Sequence, residues 1–180
     1  MKLLIASDIH GSGFYAKIIQ EAYKTHQCDK LLLLGDLLYH GPRNPLPKEY
    51  DPKVVIPILN SLKNDIIAVR GNCDAEVDQM VLDFPMMSDY TTIVFKDFKI
   101  FATHGHIYSL DKLPLLNEGD VFLFGHIHIP IFQKIDHIHI VNPGSITLPK
   151  EDSKHSYMTF ENYIFTLWDE NHQLLQEYKI

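Results

Sequence analysis

Aspartate, asparagine and histidine residues recur in short turns along this chain, in a pattern typical of a metal site. Each turn follows an apolar run that predicts a β-strand, so we expect the turns to gather at one edge of the fold. Carboxylate, amide and imidazole groups gathered in this way are the ligands that a two-metal hydrolytic centre needs. The five turns lie at residues 7–11, 35–36, 71–74, 103–106 and 125–128.

Taken one at a time, these residues have ordinary structural explanations. Asp8 or Asp36 alone would be a helix cap or a loop carboxylate, and Asn72 alone would be a turn residue. His126 and His128 alone would be core or surface histidines. Together they would leave polar groups clustered beside buried strands with nothing to compensate them, and this favours a metal site.

The first turn combines two ligand types. Asp8 and His10 are two residues apart after a strand, where alternation predicts that both side chains point to the same side. An Asp-x-His pair offers a hard ligand and a borderline ligand together.

The first half of the chain predicts a βαβαβ unit. Apolar runs at 3–6, 30–34 and 66–69 indicate buried parallel strands. Helical spacing follows the first run, and Asp51-Pro52 opens a second helix in which Pro57 predicts a kink or a delayed start. Between them, residues 39–51 are rich in proline and predict a long loop.

The second half is rich in strands. Short connections between its apolar runs predict antiparallel pairing, beginning with a hairpin. We therefore expect a mixed α/β sandwich whose loops gather on one rim, as one domain over residues 1–180. The predicted strands are 91–95, 99–102, 121–124, 131–135, 137–141, 157–161, 163–168 and 174–178.

Composition narrows the function classes. The chain has 180 residues, 46% of them hydrophobic, and a net charge of −7, which argues against a broad nucleic-acid surface or an anionic membrane partner. No apolar stretch approaches the length of a membrane span, and no signal-like segment precedes the first strand. Cys28 and Cys73 are too few for a disulfide framework, so the expected location is the cytoplasm.

The five turns, in this order, resemble the signature of the calcineurin-like metallophosphoesterases. The Gly71-Asn72-Cys73-Asp74 variant, the turn that begins at Asn142 and the short spacing resemble the small YfcE-type bacterial phosphodiesterases in particular. The resemblance spans the whole chain. It implies a four-layer α-β-β-α sandwich of two mixed β-sheets around a dinuclear site, usually described with manganese.

The resemblance also implies a ligand set. Asp36 would bridge two divalent ions, most simply Mn²⁺, although Fe, Zn, Co or Ni also suit these donors. A hydroxide between the ions would then attack a phosphodiester in line, with Asp36, Asn72 and His104 carrying the catalytic site. One ion would be held by Asp8, His10, Asp36 and His128, and the other by Asp36, Asn72, His104 and His126.

One position departs from the family pattern. Many relatives have a histidine directly after the asparagine, where it is thought to assist the leaving group, and this chain has Cys73 there. A thiol donates weakly near neutral pH, so we expect modest activity that favours good leaving groups. Among alternative roles for Cys73, packing as a small buried residue is favoured over acting as a covalent nucleophile. Asp74 is expected to cap the next short helix, although in relatives it supports the missing histidine.

Other residues near the motifs have two interpretations each. His106 either orients a ligand from outside the metal shell or simply packs. His40 and Arg43 follow Asp36 in the long loop and are the expected substrate-binding residues. Arg43 could bind phosphate or be an ordinary exposed arginine. The remaining histidines match no motif and are assigned no chemistry: His26, His137, His139, His155 and His172.

The leading hypothesis is a metal-dependent hydrolase of a small phosphodiester. A phosphomonoesterase on the same centre and a non-catalytic interaction module of the same fold are the alternatives, and the second predicts lost ligands. Substrate specificity would come from residues 39–50 and 109–117. An apolar, strand-rich half is also compatible with a homo-oligomer.

Overall fold

Two β-sheets lie face to face in the computed structural model, which describes all residues 1–180. The first sheet has the strand order β11-β10-β9-β1-β2-β3, and the second has the order β4-β5-β6-β8-β7. The strands are β1 (Leu3–Ala6), β2 (Lys30–Leu33), β3 (Ile66–Ala68), β4 (Tyr90–Val94), β5 (Lys99–Thr103), β6 (Val121–Leu123), β7 (Pro130–Ile135), β8 (Ile138–Pro143), β9 (Ser156–Glu161), β10 (Ile164–Asp169) and β11 (Leu174–Lys179).

Both sheets are mixed. Strands β1, β2 and β3 are parallel, while β9, β10 and β11 continue that sheet in antiparallel fashion. In the second sheet β5, β6 and β8 are parallel, and β4 and β7 pair antiparallel at its two edges. Six parallel strands therefore present their carboxyl ends to loops, and these loops carry the predicted motifs.

Three helices flank the first sheet: α1 (Gly13–Thr25), α2 (Pro52–Asn60) and the short α3 (Glu76–Gln79). Helix α2 begins directly at Pro52 with Asp51 as its N-cap, and it runs through Pro57. The expected delay was therefore wrong. Pro57 lies on the exposed face, where a helix carbonyl that loses its partner is free to bond to water.

Alternation along the buried strands creates the core. Leu4 and Ala6 of β1 face the helices, while Leu3 and Ile5 of the same strand face the second sheet. Because both faces of β1 are covered, its sequence is a continuous apolar run rather than an alternating one.

The outer face of the second sheet is covered differently. A third apolar cluster lies there, with Leu116 and the aromatic rings of Phe101, Phe122 and Phe124. No helix occurs between residues 104 and 120. The predicted class, two mixed sheets with flanking helices, is confirmed, and the fourth layer is an irregular segment. None of the helices is long and apolar enough to cross a membrane.

Candidate metal centre

All seven predicted ligands lie in loops that follow parallel strands. Asp8 and His10 follow β1, Asp36 follows β2, and Asn72 follows β3. From the second sheet, His104 follows β5, and both His126 and His128 follow β6. Because the sheets face each other, their carboxyl ends meet at one rim and bring residues as far apart as His10 and His128 together.

The backbone at this rim is unusual. Five of the ligands have left-handed backbone conformations, with φ between 49° and 67°. The Asp8 and His10 side chains do lie on the same side, as expected, but left-handed backbone conformations bring them together rather than strand alternation. Left-handed non-glycine residues are uncommon and cluster at functional sites. The five are Asp8, His10, Asp36, His126 and His128.

Asp8, His10 and His128 form what we call the inner subsite. Asp8 Oδ1 lies 3.1 Å from His128 Nε2 and 3.6 Å from His10 Nε2. Each imidazole donates its Nδ1–H to a backbone carbonyl, His10 to Tyr39 O at 2.8 Å and His128 to Leu148 O at 2.6 Å. In the neutral imidazoles, both Nε2 atoms therefore carry free lone pairs.

The donor atoms of the inner subsite are arranged in a way that suits a bound cation. The two Nε2 atoms of His10 and His128 are only 3.4 Å apart. Asp8 Oδ1 is fully buried and has no hydrogen-bond partner. Buried acceptors that face one another without a donor are costly, and a divalent ion among them satisfies all three.

Asn72, His104 and His126 form the outer subsite. His104 donates Nδ1–H to Leu34 O at 2.7 Å, so its Nε2 faces the Asn72 Oδ1 acceptor at 3.0 Å. His126 Nδ1 lies 3.2 Å from the same Nε2. Asn72 is exposed and His126 half-buried, so this side of the centre opens to solvent.

Asp36 lies between the two subsites. Its Oδ2 atom is 3.7 Å from His10 Nε2 and 3.5 Å from His104 Nε2. Its other oxygen, Oδ1, accepts a hydrogen bond from the Cys73 backbone N–H at 2.8 Å. One carboxylate oxygen thus points at both donor groups, which is the geometry of a bridging ligand.

The ionisation of the site suits a divalent ion. Burial raises the pKa of Asp8, but the neighbouring imidazoles of His10, His128 and His104 outweigh it and hold the pKa well below its ordinary value. Burial lowers the pKa of His10, but the Asp8 carboxylate outweighs it and raises that pKa, so a metal ion at this subsite competes with a proton. Burial and the neighbouring His104 lower the pKa of His126, which keeps that imidazole neutral. Ionised carboxylates and neutral imidazoles are the forms that bind metal.

Asp74 does not cap a helix, contrary to expectation. The N-cap of α3 is Ala75. The buried Asp74 carboxylate instead accepts backbone N–H groups from Asp36 at 2.8 Å, Leu37 at 2.8 Å and Gly71 at 2.7 Å. Burial raises its pKa against these three donors. Asp74 therefore fixes the turn that carries Asp36.

Sequence reasoning missed a group of supporting residues at the end of β8 and on the loop that follows it. Ser145 donates to Asp8 O at 3.1 Å, and Thr147 donates to Ile9 O at 2.9 Å. Asn142 donates to Gly125 O at 2.9 Å, in the turn before His126. The motif at residues 142–145 was noticed, but nothing in the sequence indicates which turn it supports.

Cys73 is half-buried and lines the cleft above the metal centre, so it is not the buried filler considered as an alternative. Its Sγ lies within 4.8 Å of ligand atoms of His10 and Asp36. Burial, and then the Asp36 carboxylate, raise the pKa of the thiol to about 12. Such a thiol stays protonated at neutral pH and is a weak acid.

The remaining candidates divide into those that reach the cleft and those that do not. Arg43 lines it, as does Lys150, which the sequence motifs did not indicate. The His40 ring packs edge-on against Tyr39 and Tyr50 and lies outside the lining residues. No residue of 109–117 lines the cleft.

His106 approaches a ligand by packing alone. Its ring lies edge-on to His104, with the centroids 5.3 Å apart. Its Nδ1 is buried without a hydrogen-bond partner. Burial and the nearby His104 lower its pKa to about 4, so the ring is neutral.

Two mixed sheets that deliver carboxylate, amide and imidazole ligands from opposed strand ends define a metallophosphoesterase. The chain belongs to the calcineurin-like phosphoesterase superfamily, whose domain model matches residues 1–162. This confirms the family that the sequence motifs resembled.

Individual relatives agree. The chain is 41% identical over 167 residues to the phosphodiesterase YfcE of Escherichia coli strain K12, which covers 93% of this chain and 91% of the relative. The solved structure of YfcE, a phosphoesterase from E. coli, matches with a TM-score of 0.97 and 39% identity over 100% of both chains. The phosphodiesterase MJ0936 of Methanocaldococcus jannaschii is 30% identical over 151 residues, 80% of this chain and 83% of the relative.

Proposed function

We propose that this protein is a metal-dependent phosphodiesterase acting on a small phosphate ester. The observation that carries the proposal is the convergence of seven donor residues whose acceptor atoms face one another, with Asp8 Oδ1 buried and unpartnered. The names of the relatives YfcE and MJ0936, both phosphodiesterases, support the same reaction class.

In this proposal the inner subsite would hold one divalent ion and the outer subsite the second, and Asp36 would contribute to both. Carboxylate, amide and imidazole donors suit Mn²⁺, our proposed metal, and they also accept Fe, Zn, Co or Ni. When bound, the two ions supply an activated water nucleophile and stabilise negative charge on the phosphoryl oxygens.

The residues of this chain position the substrate around that chemistry. Asp36 keeps the two subsites at a fixed separation through its Oδ2 atom. Arg43 and Lys150 lie on the rim of the cleft, where their positive charges attract a phosphodiester anion and orient it. Asn44 adds an uncharged polar group to the same lining.

Protonation of the leaving group is the weak step. Apart from the proposed ligands, no carboxyl or imidazole group lines the cleft, and the Cys73 thiol has a pKa of about 12. We therefore propose that esters of acidic alcohols are hydrolysed best, because their leaving groups depart without a proton.

A direct assay tests the function. Hydrolysis of bis-p-nitrophenyl phosphate is measured with and without manganese for wild type, Asp36→Asn and the exposed control Asp83→Asn. We expect manganese-dependent turnover in wild type and in the control, and a loss of roughly 10³-fold in Asp36→Asn. Turnover by wild type that does not exceed that of Asp36→Asn contradicts the proposal.

Phosphomonoesters are a second candidate class, because Arg43 and Lys150 bring two positive charges to a cleft of only about 70 Å³. Assaying p-nitrophenyl phosphate beside the diester separates the two. A non-catalytic interaction module is disfavoured, since all seven ligand positions carry metal-binding side chains.

We also propose a cytoplasmic location and a homo-oligomeric state. The first rests on two cysteines that both remain free thiols. The second rests on exposed apolar side chains such as Val94, 77% exposed, and Leu115, 91% exposed. Light scattering of the purified protein tests the oligomeric state.

A further inference from the structure

A second cavity lies beside the metal cleft and differs from it in size and chemistry. Its volume is about 380 Å³, compared with about 70 Å³ for the metal cleft. Eight of its ten lining residues are hydrophobic. The lining is formed by Leu38, Tyr39, Tyr50, Pro52, Ile56, Cys73, Ala75, Val77, Asp78 and Val81.

The two cavities are contiguous. Cys73 lines both of them, and its backbone N–H donates to the bridging Asp36. Tyr39 accepts the Nδ1–H of His10 through its carbonyl and also lines the apolar cavity. The cavity therefore adjoins the metal cleft at Cys73, which places it next to the ester groups of a phosphoryl centre bound in the cleft.

The lining restricts what can occupy the cavity. No lysine, arginine or histidine lines it, so an anionic group such as a further phosphate finds no counter-charge there. Its one carboxylate, Asp78, already accepts the Ala75 N–H at the start of α3. Two tyrosines and aliphatic side chains instead suit a flat, uncharged ring.

Part of this apolar wall is exposed to solvent. Val77 is 62% exposed, Tyr39 42% and Val81 40%. Apolar surface that remains open beside a polar cleft is typical of a ligand-binding wall. Covering it with a substrate group removes these side chains from water.

We propose that this cavity binds an uncharged aromatic ester group of the substrate, so that the protein acts preferentially on aryl phosphodiesters. The inference rests on the proposed phosphodiesterase function and names its substrate class.

The test uses Val77→Asp, which introduces a charge into the cavity, and Met80→Asp as its matched control. Met80 is 82% exposed on the same short segment and does not line the cavity. Calorimetry compares phenylphosphonate with methylphosphonate on the manganese-loaded proteins. Phenylphosphonate and methylphosphonate carry the same charge. The ratio of their affinities for one protein is therefore free of the electrostatic effect of the new aspartate.

Wild type and Met80→Asp are expected to bind phenylphosphonate about tenfold more tightly than methylphosphonate. In Val77→Asp this preference should fall to about twofold or less. A parallel kinetic measurement uses methyl p-nitrophenyl phosphate, which has a single aromatic arm. Its kcat/KM should fall about tenfold in Val77→Asp relative to Met80→Asp.

Three outcomes overturn the proposal. In the first, wild type binds both phosphonates equally or binds neither; in the second, Val77→Asp keeps the full preference for phenylphosphonate. In the third, Val77→Asp changes the sedimentation coefficient of the protein, which would make the cavity a contact between copies of the chain. The phosphodiesterase proposal fails separately, when wild type shows no manganese-dependent turnover. A phenyl preference that is lost in Val77→Asp supports the aromatic subsite even in that case.

Discussion

The inner and outer subsites of the metal centre differ in how rigidly their ligands are held. In the inner subsite Asp8, His10 and His128 are at most 3% exposed, and both imidazoles are fixed by Nδ1–H bonds to carbonyl groups. In the outer subsite His104 is equally buried and is fixed by Leu34 O, but Asn72 is exposed and His126 is half-buried. A rigid, buried donor set loses little entropy when it binds an ion, so the inner subsite should bind metal more tightly.

The difference has a functional meaning. The cleft is lined by ligands of both subsites, His10 and His128 from the inner one and Asn72 and His126 from the outer one. Asn72 is the exposed ligand among them, so an ion at the outer subsite has more room to accept a phosphoryl oxygen. We therefore interpret the inner subsite as the anchor and the outer subsite as the substrate-facing position.

Removing one histidine from each half tests this contrast most severely. His128→Ala should lose tightly bound metal from the inner subsite and lower turnover by roughly 10³-fold. His126→Ala should keep about one tightly bound ion per chain, because the inner donors are intact. The metal content of His128→Ala and of His126→Ala is measured by mass spectrometry after desalting, and it shows whether the two subsites differ in affinity. Equal metal loss in both variants would remove the distinction between the halves.

Asp74 tests what the two subsites share, the Asp36 turn, without changing a ligand. Asp74→Asn loses part of the acceptor set that holds the N–H groups of Asp36, Leu37 and Gly71. Because Asp36 belongs to both subsites, manganese affinity should fall about 10- to 100-fold at both. Calorimetric titration measures it, with Asp78→Asn as the control. An unchanged affinity would show that the Asp36 turn holds its shape without Asp74.

Ser145 supports the inner subsite alone, through the backbone of Asp8. Its buried hydroxyl donates to Asp8 O and accepts the N–H groups of Thr147 and Leu148. Ser145→Ala should lower the free energy of unfolding by about 1–3 kcal/mol, since buried groups lose their partner. Urea unfolding of the metal-free protein measures this, with the exposed Ser61→Ala as a control expected to change little. A neutral Ser145→Ala would mean that water replaces the hydroxyl.

Substitutions at Cys73, beside the outer subsite, test the function of that subsite and have the smallest expected effect. Cys73→His places a stronger acid beside the outer subsite and should raise kcat for esters of poor leaving groups by about tenfold. Cys73→Ser, which is also a weak acid, should change it little. The measurement is the slope of log kcat against leaving-group pKa for a series of phenyl esters. If the slope is the same for wild type and Cys73→His, the claim that wild type protonates the leaving group poorly is wrong.

The sequence predicted the part of the structure that depends on local pattern. Continuous apolar runs such as Leu3–Ala6 indicate strands buried on both faces, and polar residues directly after them indicate the rim. The family resemblance then supplied the sandwich and the order of the ligands. Both the family and the fold class are confirmed.

What the sequence did not predict depends on contacts between distant segments. Ser145 and Asp8 are 137 residues apart, and Asp74 holds a turn 37 or 38 residues away. The left-handed turns at Asp8 and His10 are stabilised by such tertiary contacts and leave no local pattern. Lys150 and the apolar cavity likewise arise only when separate loops meet.

The central claim is that two metal ions occupy this rim with Asp36 between them. Anomalous diffraction from crystals grown with manganese tests it most directly. We expect two peaks about 3.5–4 Å apart, one among Asp8, His10 and His128 and the other among Asn72, His104 and His126, with the Asp36 carboxylate between. A single peak, or manganese bound elsewhere on the protein, would contradict the account.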